Sequence, residues 1–107
     1  MNKLVISPEA ARDLEKINQY IIYELKNPSA ARRVVRGITK DLRILEHYAE
    51  AGPSVAALTG YSGDLRILVC GNYIAAYKVE GNTVLVARVI NARQDYINVL
   101  FGDNISP

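Results

Sequence analysis

Four cations and one phenol in the second half of the chain have the residue types for work on a phosphate: Arg66, Lys78, Arg88 and Arg93, with Tyr96. Guanidinium and ammonium groups bind phosphate oxygens and offset the charge of a phosphoryl transition state without any metal. A tyrosine can stack on a base or move a proton. On composition alone a plainer alternative weighs more. Each cation pairs with Asp64, Glu80 or Asp95, or lies on a solvated sheet face, and Tyr96 serves as a core aromatic.

Other chemistries find little support. There is no phosphate-cradling glycine loop, no nucleotide fingerprint and no pair of histidines at metal-ligand spacing, so no cofactor and no metal are expected. His47 is the only histidine and no G-x-S-x-G elbow accompanies it, which favours a structural or solvent-exposed role. Cys70 is the only cysteine, which excludes an internal disulfide and a cysteine zinc cage. At a strand end it reads as a small buried hydrophobe.

The elements that must position these residues follow from local signals. Residues 3–6 form a strand candidate that stops at Ser7-Pro8, a helix cap followed by a proline suited to the first helical position. A helix then runs to about Leu25, with Leu14, Ile17, Ile21 and Leu25 on one face. Lys26-Asn27-Pro28 breaks it and Asn27-Pro28 repeats the cap-plus-proline start. The second helix extends to roughly Glu46 and buries Ala31, Val34, Val35, Ile38, Leu42 and Leu45. So short a connection makes an antiparallel helical hairpin. Residues 47–62, rich in Ala, Gly and Ser, read as a loop. Strands are expected at 64–70, 73–79 and 83–91, joined by Gly71-Asn72 and Glu80-Gly81-Asn82 as an antiparallel meander. A short helix at 93–101 closes the fold before a frayed tail at 103–107. Helices on one face of a mainly antiparallel sheet make an α+β sandwich.

Length and charge bound the rest. The 107 residues, 50% hydrophobic and 22% charged, suffice for one two-layer core but not for two, so 1–107 reads as a single domain. No apolar run is long enough to span a membrane, the first residues lack a secretory pattern, and a reducing cytoplasm is the expected location. The net charge of +2 is unevenly spread: residues 26–43 carry Lys26, Arg32, Arg33, Arg36, Lys40 and Arg43 against Asp41 alone. At about 100° per residue, Arg32, Arg33, Arg36, Lys40 and Arg43 fall within roughly one quadrant of the second helix, nearly opposite its apolar set. Such a stripe is either a solvated face or a surface for an anionic partner or acidic protein segment.

Taken together, "SPEAARDLEKINQYIIYEL", "NPSAARRVVRGI" and "DLRILVCGNYIAAYKVEGNTVLVARVINARQDYINVLF" resemble RelE/ParE toxins, the group that includes plasmid stabilisation proteins. The "NP-x-AA" helix start, the "GNY…Y-x-VEGN-x-V" hairpin and the closing "R-x-DY" carry the resemblance most specifically. It implies a β-α-α-β-β-β fold and a cognate antitoxin that wraps the toxin with an extended or helical segment. It also implies one of two ways to arrest growth: metal-independent cleavage of messenger RNA on the ribosome, or inhibition of DNA gyrase.

The resemblance assigns residues one by one. RelE-like nucleases usually carry an arginine in the middle strand, where this chain has Ile74. Arg93 matches the arginine at the end of the last strand. Asp95-Tyr96 replaces a histidine–tyrosine pair of some nucleases, and Glu46 loosely matches a glutamate of others. Two full helices joined at Asn27-Pro28 are the more ParE-like feature. Arg66 and Arg93 matter under either mechanism and are the first site candidates, with Tyr96 next. A gyrase-inhibiting toxin is preferred, with the ribosome-dependent nuclease and a non-toxic binding module as alternatives.

Overall fold

A computed structural model describes residues 1–60, 63–93 and 99 of the chain. Strand β1 (Lys3–Ile6) leads into helix α1 (Pro8–Gln19), which continues as a π-helical turn at Tyr20–Glu24. Helix α2 (Pro28–Leu42) tightens into a 3₁₀ turn at Arg43–Glu46. A short helix α3 (Val55–Thr59) precedes strands β2 (Arg66–Cys70), β3 (Tyr73–Glu80) and β4 (Thr83–Asn91).

Both long helices start as their caps dictate. The Ser7 hydroxyl accepts from the Ala10 N–H at 3.0 Å, and the Asn27 side chain accepts from the Ala30 N–H at 3.1 Å. Ala10, Ile21, Ala31, Ile38, Leu42 and Leu45 are buried, while Val34 and Val35 are half-buried. Leu25 departs from the expected stripe and is 58% exposed. Its N–H bonds the carbonyl of Tyr20, five residues back, and this wider turn carries Leu25 off the apolar face. Lys26 then takes a left-handed φ of 53°, which lets the chain reverse into Asn27.

The four strands form one sheet in the order β1-β4-β3-β2. The meander is antiparallel as expected, with β1 added alongside β4 in parallel, Lys3 facing Thr83 and Ile6 facing Val86. Gly81 has a φ of 60°, the backbone that a two-residue hairpin with glycine first requires. A bulge interrupts β3–β4: Ala76 faces Arg88 but Tyr77 faces Val86, leaving Ala87 as the extra residue. The alternation of β4 therefore changes phase, and Val84, Val86 and Val89 share one core.

That core lies between sheet and helices, with Leu42, Leu45 and Tyr77 among its largest fully buried side chains. The other sheet face holds a smaller core of Val55, Ile67, Ile74, Ala76 and Ile90, against which Leu65 and Val99 pack. Helix α3 supplies Val55, so the expectation of a plain loop over 47–62 fails. Ser54 caps that helix through the Ala57 N–H at 3.0 Å and Gly60 ends it at a φ of 81°. The segment also covers the outer edge of β2, through Val55 N–H to the Leu65 carbonyl at 2.8 Å and Ile67 N–H to the Pro53 carbonyl at 3.0 Å. The expected helix at 93–101 lies outside the described residues, Arg93 and Val99 apart.

Candidate functional site

Strand β4 runs on past the end of β1, and the space left beside it is the site. A cavity of about 550 Å³ opens there, between α1 with its π-helical turn (Asp13, Lys16, Ile17, Tyr20) and the ends of β3 and β4 (Tyr73, Arg88 to Asn91), with Arg93 and Val99 also lining it.

Two side chains from the start of the chain satisfy the strand backbone where β1 stops. The Ser7 hydroxyl donates to the Ala87 carbonyl at 2.8 Å. Asp13 Oδ2 accepts from the Val89 N–H at 2.9 Å and from Arg88 Nε at 2.7 Å, while Oδ1 accepts from Arg88 Nη2 at 3.1 Å. The side chains are 12% exposed for Asp13 and 34% for Arg88. This two-pronged pair pushes the guanidinium pKa still further up, and Arg88 is a fixed cation. Burial, and then the nearby Tyr20, raise the phenol of Tyr73 above its usual range, so it lines the cavity as a neutral hydroxyl.

Of the sequence candidates, the cavity brings together Arg88 and Arg93. Arg93 is exposed, its backbone N–H bonds the Asn91 side chain at 2.8 Å, and its guanidinium has no ion pair among the described residues. Arg66 lies elsewhere. It faces Tyr77, four strand residues or roughly 13 Å from the Tyr73 end of the sheet. There Nη1 donates to the Gly52 carbonyl at 2.8 Å, while the Gly52 N–H donates to Tyr77 Oη at 2.9 Å. Lys78 pairs with Glu80 at 3.3 Å, as the plainer alternative held, whereas the partner of Arg88 is Asp13 rather than Asp64, Glu80 or Asp95. Tyr96 and Asp95 lie outside the described residues.

The remaining candidates fall away from the cavity. The Glu46 carbonyl accepts from the Asn2 N–H, next to Lys3 and Thr83 at the start of β4, while Arg93 follows its far end. The Glu46 carboxylate meets Arg43 at 3.8 Å. His47 is exposed, with its ring tilted beside Tyr48. Cys70 is 2% exposed, and burial, aided by Asp41, pushes its thiol up to about 12. Among the described residues no cluster of three metal-ligating side chains occurs, and no helix is long and apolar enough to cross a membrane.

Sequence reasoning passed over Asp13, Lys16 and Tyr73. Asp13 had a signal: it sits three residues after Ala10 and four before Ile17, inside the apolar stripe of α1, where an acid needs a buried partner.

Comparison with known proteins places this geometry in a family. Residues 4–96 match the family model described as ParE toxin of type II toxin-antitoxin system, parDE. No curated protein sequence matches. A solved chain from the chromosomal ParDE TA system of P. aeruginosa superposes with a TM-score of 0.72 at 22% identity, covering 85% of this chain and 96% of that one. That likeness shows a shared fold.

Proposed function

The chain belongs to the ParE toxin family of type II toxin–antitoxin systems, and from that premise we propose that it arrests growth by binding DNA gyrase rather than by cutting RNA. A cognate antitoxin is the partner that comes with membership.

The observation that carries this reading is the commitment of Asp13. Metal-independent RNA cleavage needs a group to take the proton of the attacking hydroxyl. Among the described residues Asp13 is the one carboxylate lining the cavity, and it is held by Arg88 and the Val89 amide. Tyr73 is kept neutral, and the middle-strand position of the nuclease pattern is the buried, apolar Ile74. What is left is a surface suited to contact: Lys16, Tyr20 and Arg93 around an open cavity. In this proposal Arg93 and Tyr96 meet the target, and Arg66 acts as a positioning residue by holding Gly52.

One observation favours a second reading. Arg93 has no ion pair among the described residues, and Tyr96 follows it at the nuclease spacing, as a ribosome-dependent messenger RNA endoribonuclease would require. The order in which syntheses fail after induction separates the two. Gyrase inhibition stops DNA synthesis first. Protein synthesis stopping first, with codon-linked cuts on translated messages, would sink the proposal. Induction without any growth arrest would instead leave a non-toxic binding module.

A further inference from the structure

The outer face of α2 carries charge that the candidate site does not use. Arg32, Arg33, Arg36 and Lys40 are exposed and have no ion pair among the described residues, and Arg43 alone has a distant one, to Glu46 at 3.8 Å. From Arg32 to Arg43 the stripe is about 16 Å long at the helical rise per residue. Asp41, the single acid of α2, projects roughly a third of a turn away from it, and Glu15 of α1 borders only the Arg32–Arg36 side.

A second feature lies beside these charges. Ser29, Arg32, Arg33, Arg36, Gly37 and Lys40 line a shallow groove of about 410 Å³. Gly37 is mid-helix, where glycine is less favourable than alanine. A Cβ there would meet nothing within 4 Å, so internal packing does not demand glycine. Its effect is to leave bare backbone between Arg33 and Lys40, where an incoming surface can approach closely.

We propose that this face of α2 binds the phosphate backbone of duplex DNA, independently of sequence. A row of cations with no apolar residue lining the groove matches a regular polyanion; the Ser29 hydroxyl already donates to Asn27 Oδ1 at 3.1 Å and is not needed for it. A protein partner would instead find an interface centre without aromatic or aliphatic anchors, since the exposed Ile44 lies one turn beyond Lys40 and outside the groove. Single-stranded nucleic acid is disfavoured because α2 contains no aromatic residue on which bases could stack. Along a duplex, 16 Å spans between four and five steps of about 3.4 Å rise, over which each strand winds through nearly half a turn, so the stripe meets more than one phosphate but not one per step. The contact is independent of whether gyrase is the target, and would hold the toxin on the template.

The test uses the purified full-length chain and fluorescence anisotropy with labelled duplexes of two unrelated sequences, titrated between about 50 and 200 mM salt. Both duplexes should bind with similar affinity, and each engaged cation adds about −0.9 to the slope of log K against log salt. The Arg36→Gln/Lys40→Gln variant should lose about two units of that slope, while Lys3→Gln/Arg12→Gln, with the same charge loss elsewhere, keeps it. Gly37→Ala should melt higher yet bind the duplex several-fold more weakly. Equal slopes for the two charge variants would overturn the proposal. So would tighter binding of single-stranded RNA, or of an acidic peptide with no measurable affinity for duplex.

Discussion

Asp13 holds Arg88 and the backbone of Val89 at once, with one carboxylate oxygen 2.7 Å from the guanidinium and 2.9 Å from the Val89 N–H. Helix α1 is thereby fastened to the part of β4 that β1 does not reach, and that fastening builds the wall of the cavity. Asp13→Ala leaves a cation and an amide without their acceptor in a half-buried place. The expected loss is about 2–3 kcal/mol, read as a lower urea midpoint with an unchanged slope. A loss under about 0.5 kcal/mol would show that the pair is only decorative.

Gly52 and Tyr77 predict a second weak point. A Cβ at Gly52 would overlap the Ile67 carbonyl oxygen, so Gly52→Ala must move backbone at the edge of β2. Its expected cost is about 3 kcal/mol. Tyr77→Phe removes only the acceptor for the buried Gly52 N–H and should cost about 1–2 kcal/mol. Chemical denaturation of both variants checks the order.

Much of this architecture was legible in the sequence because local chemistry decides it. Ser7-Pro8 and Asn27-Pro28 announce their helices, and Gly71-Asn72 and Gly81-Asn82 announce hairpins. What stayed hidden depends on distant partners. Nothing near Leu25 signals the π turn that exposes it, and the bulge at Ala87 exists only in the pairing of β4 with β3. Ser54 and Gly60 did bracket a helix, but its five residues are too few to show a helical apolar period, and the glycines and serines around it read as loop. In the site, the type of Arg88 was visible and its role was not, because its partner lies 75 residues away in sequence.

Alkaline pH supplies a third check. The Cys70 thiol is raised from an ordinary 9.0 to about 12, so folding holds its proton more tightly than the unfolded chain does. Its contribution to stability is fully present below about pH 9 and is lost as pH rises towards 12. The raised phenols of Tyr73 and Tyr77 act in the same direction above their ordinary 10.0. The native protein should resist a thiol reagent at about pH 8 and react once unfolded, and Cys70→Ala should flatten the alkaline fall in stability. Fast reaction of the native thiol would contradict its burial.

Lys26 offers a gain rather than a loss. At a φ of 53° a side chain with a Cβ is strained, and glycine is not. Lys26→Gly should stabilise the hairpin by about 0.5–1 kcal/mol, measurable as a higher melting temperature. No gain would mean that Lys26 is held by something other than its backbone.

The proposal that this toxin disables gyrase by contact is tested most directly by DNA supercoiling with purified gyrase, ATP and saturating toxin. Wild type should stop the conversion of relaxed to supercoiled plasmid, the cognate antitoxin should restore it, and Arg93→Ala should inhibit at least tenfold less well while remaining folded. Unimpaired supercoiling at saturating toxin, from a preparation that still arrests growth in cells, would contradict the account.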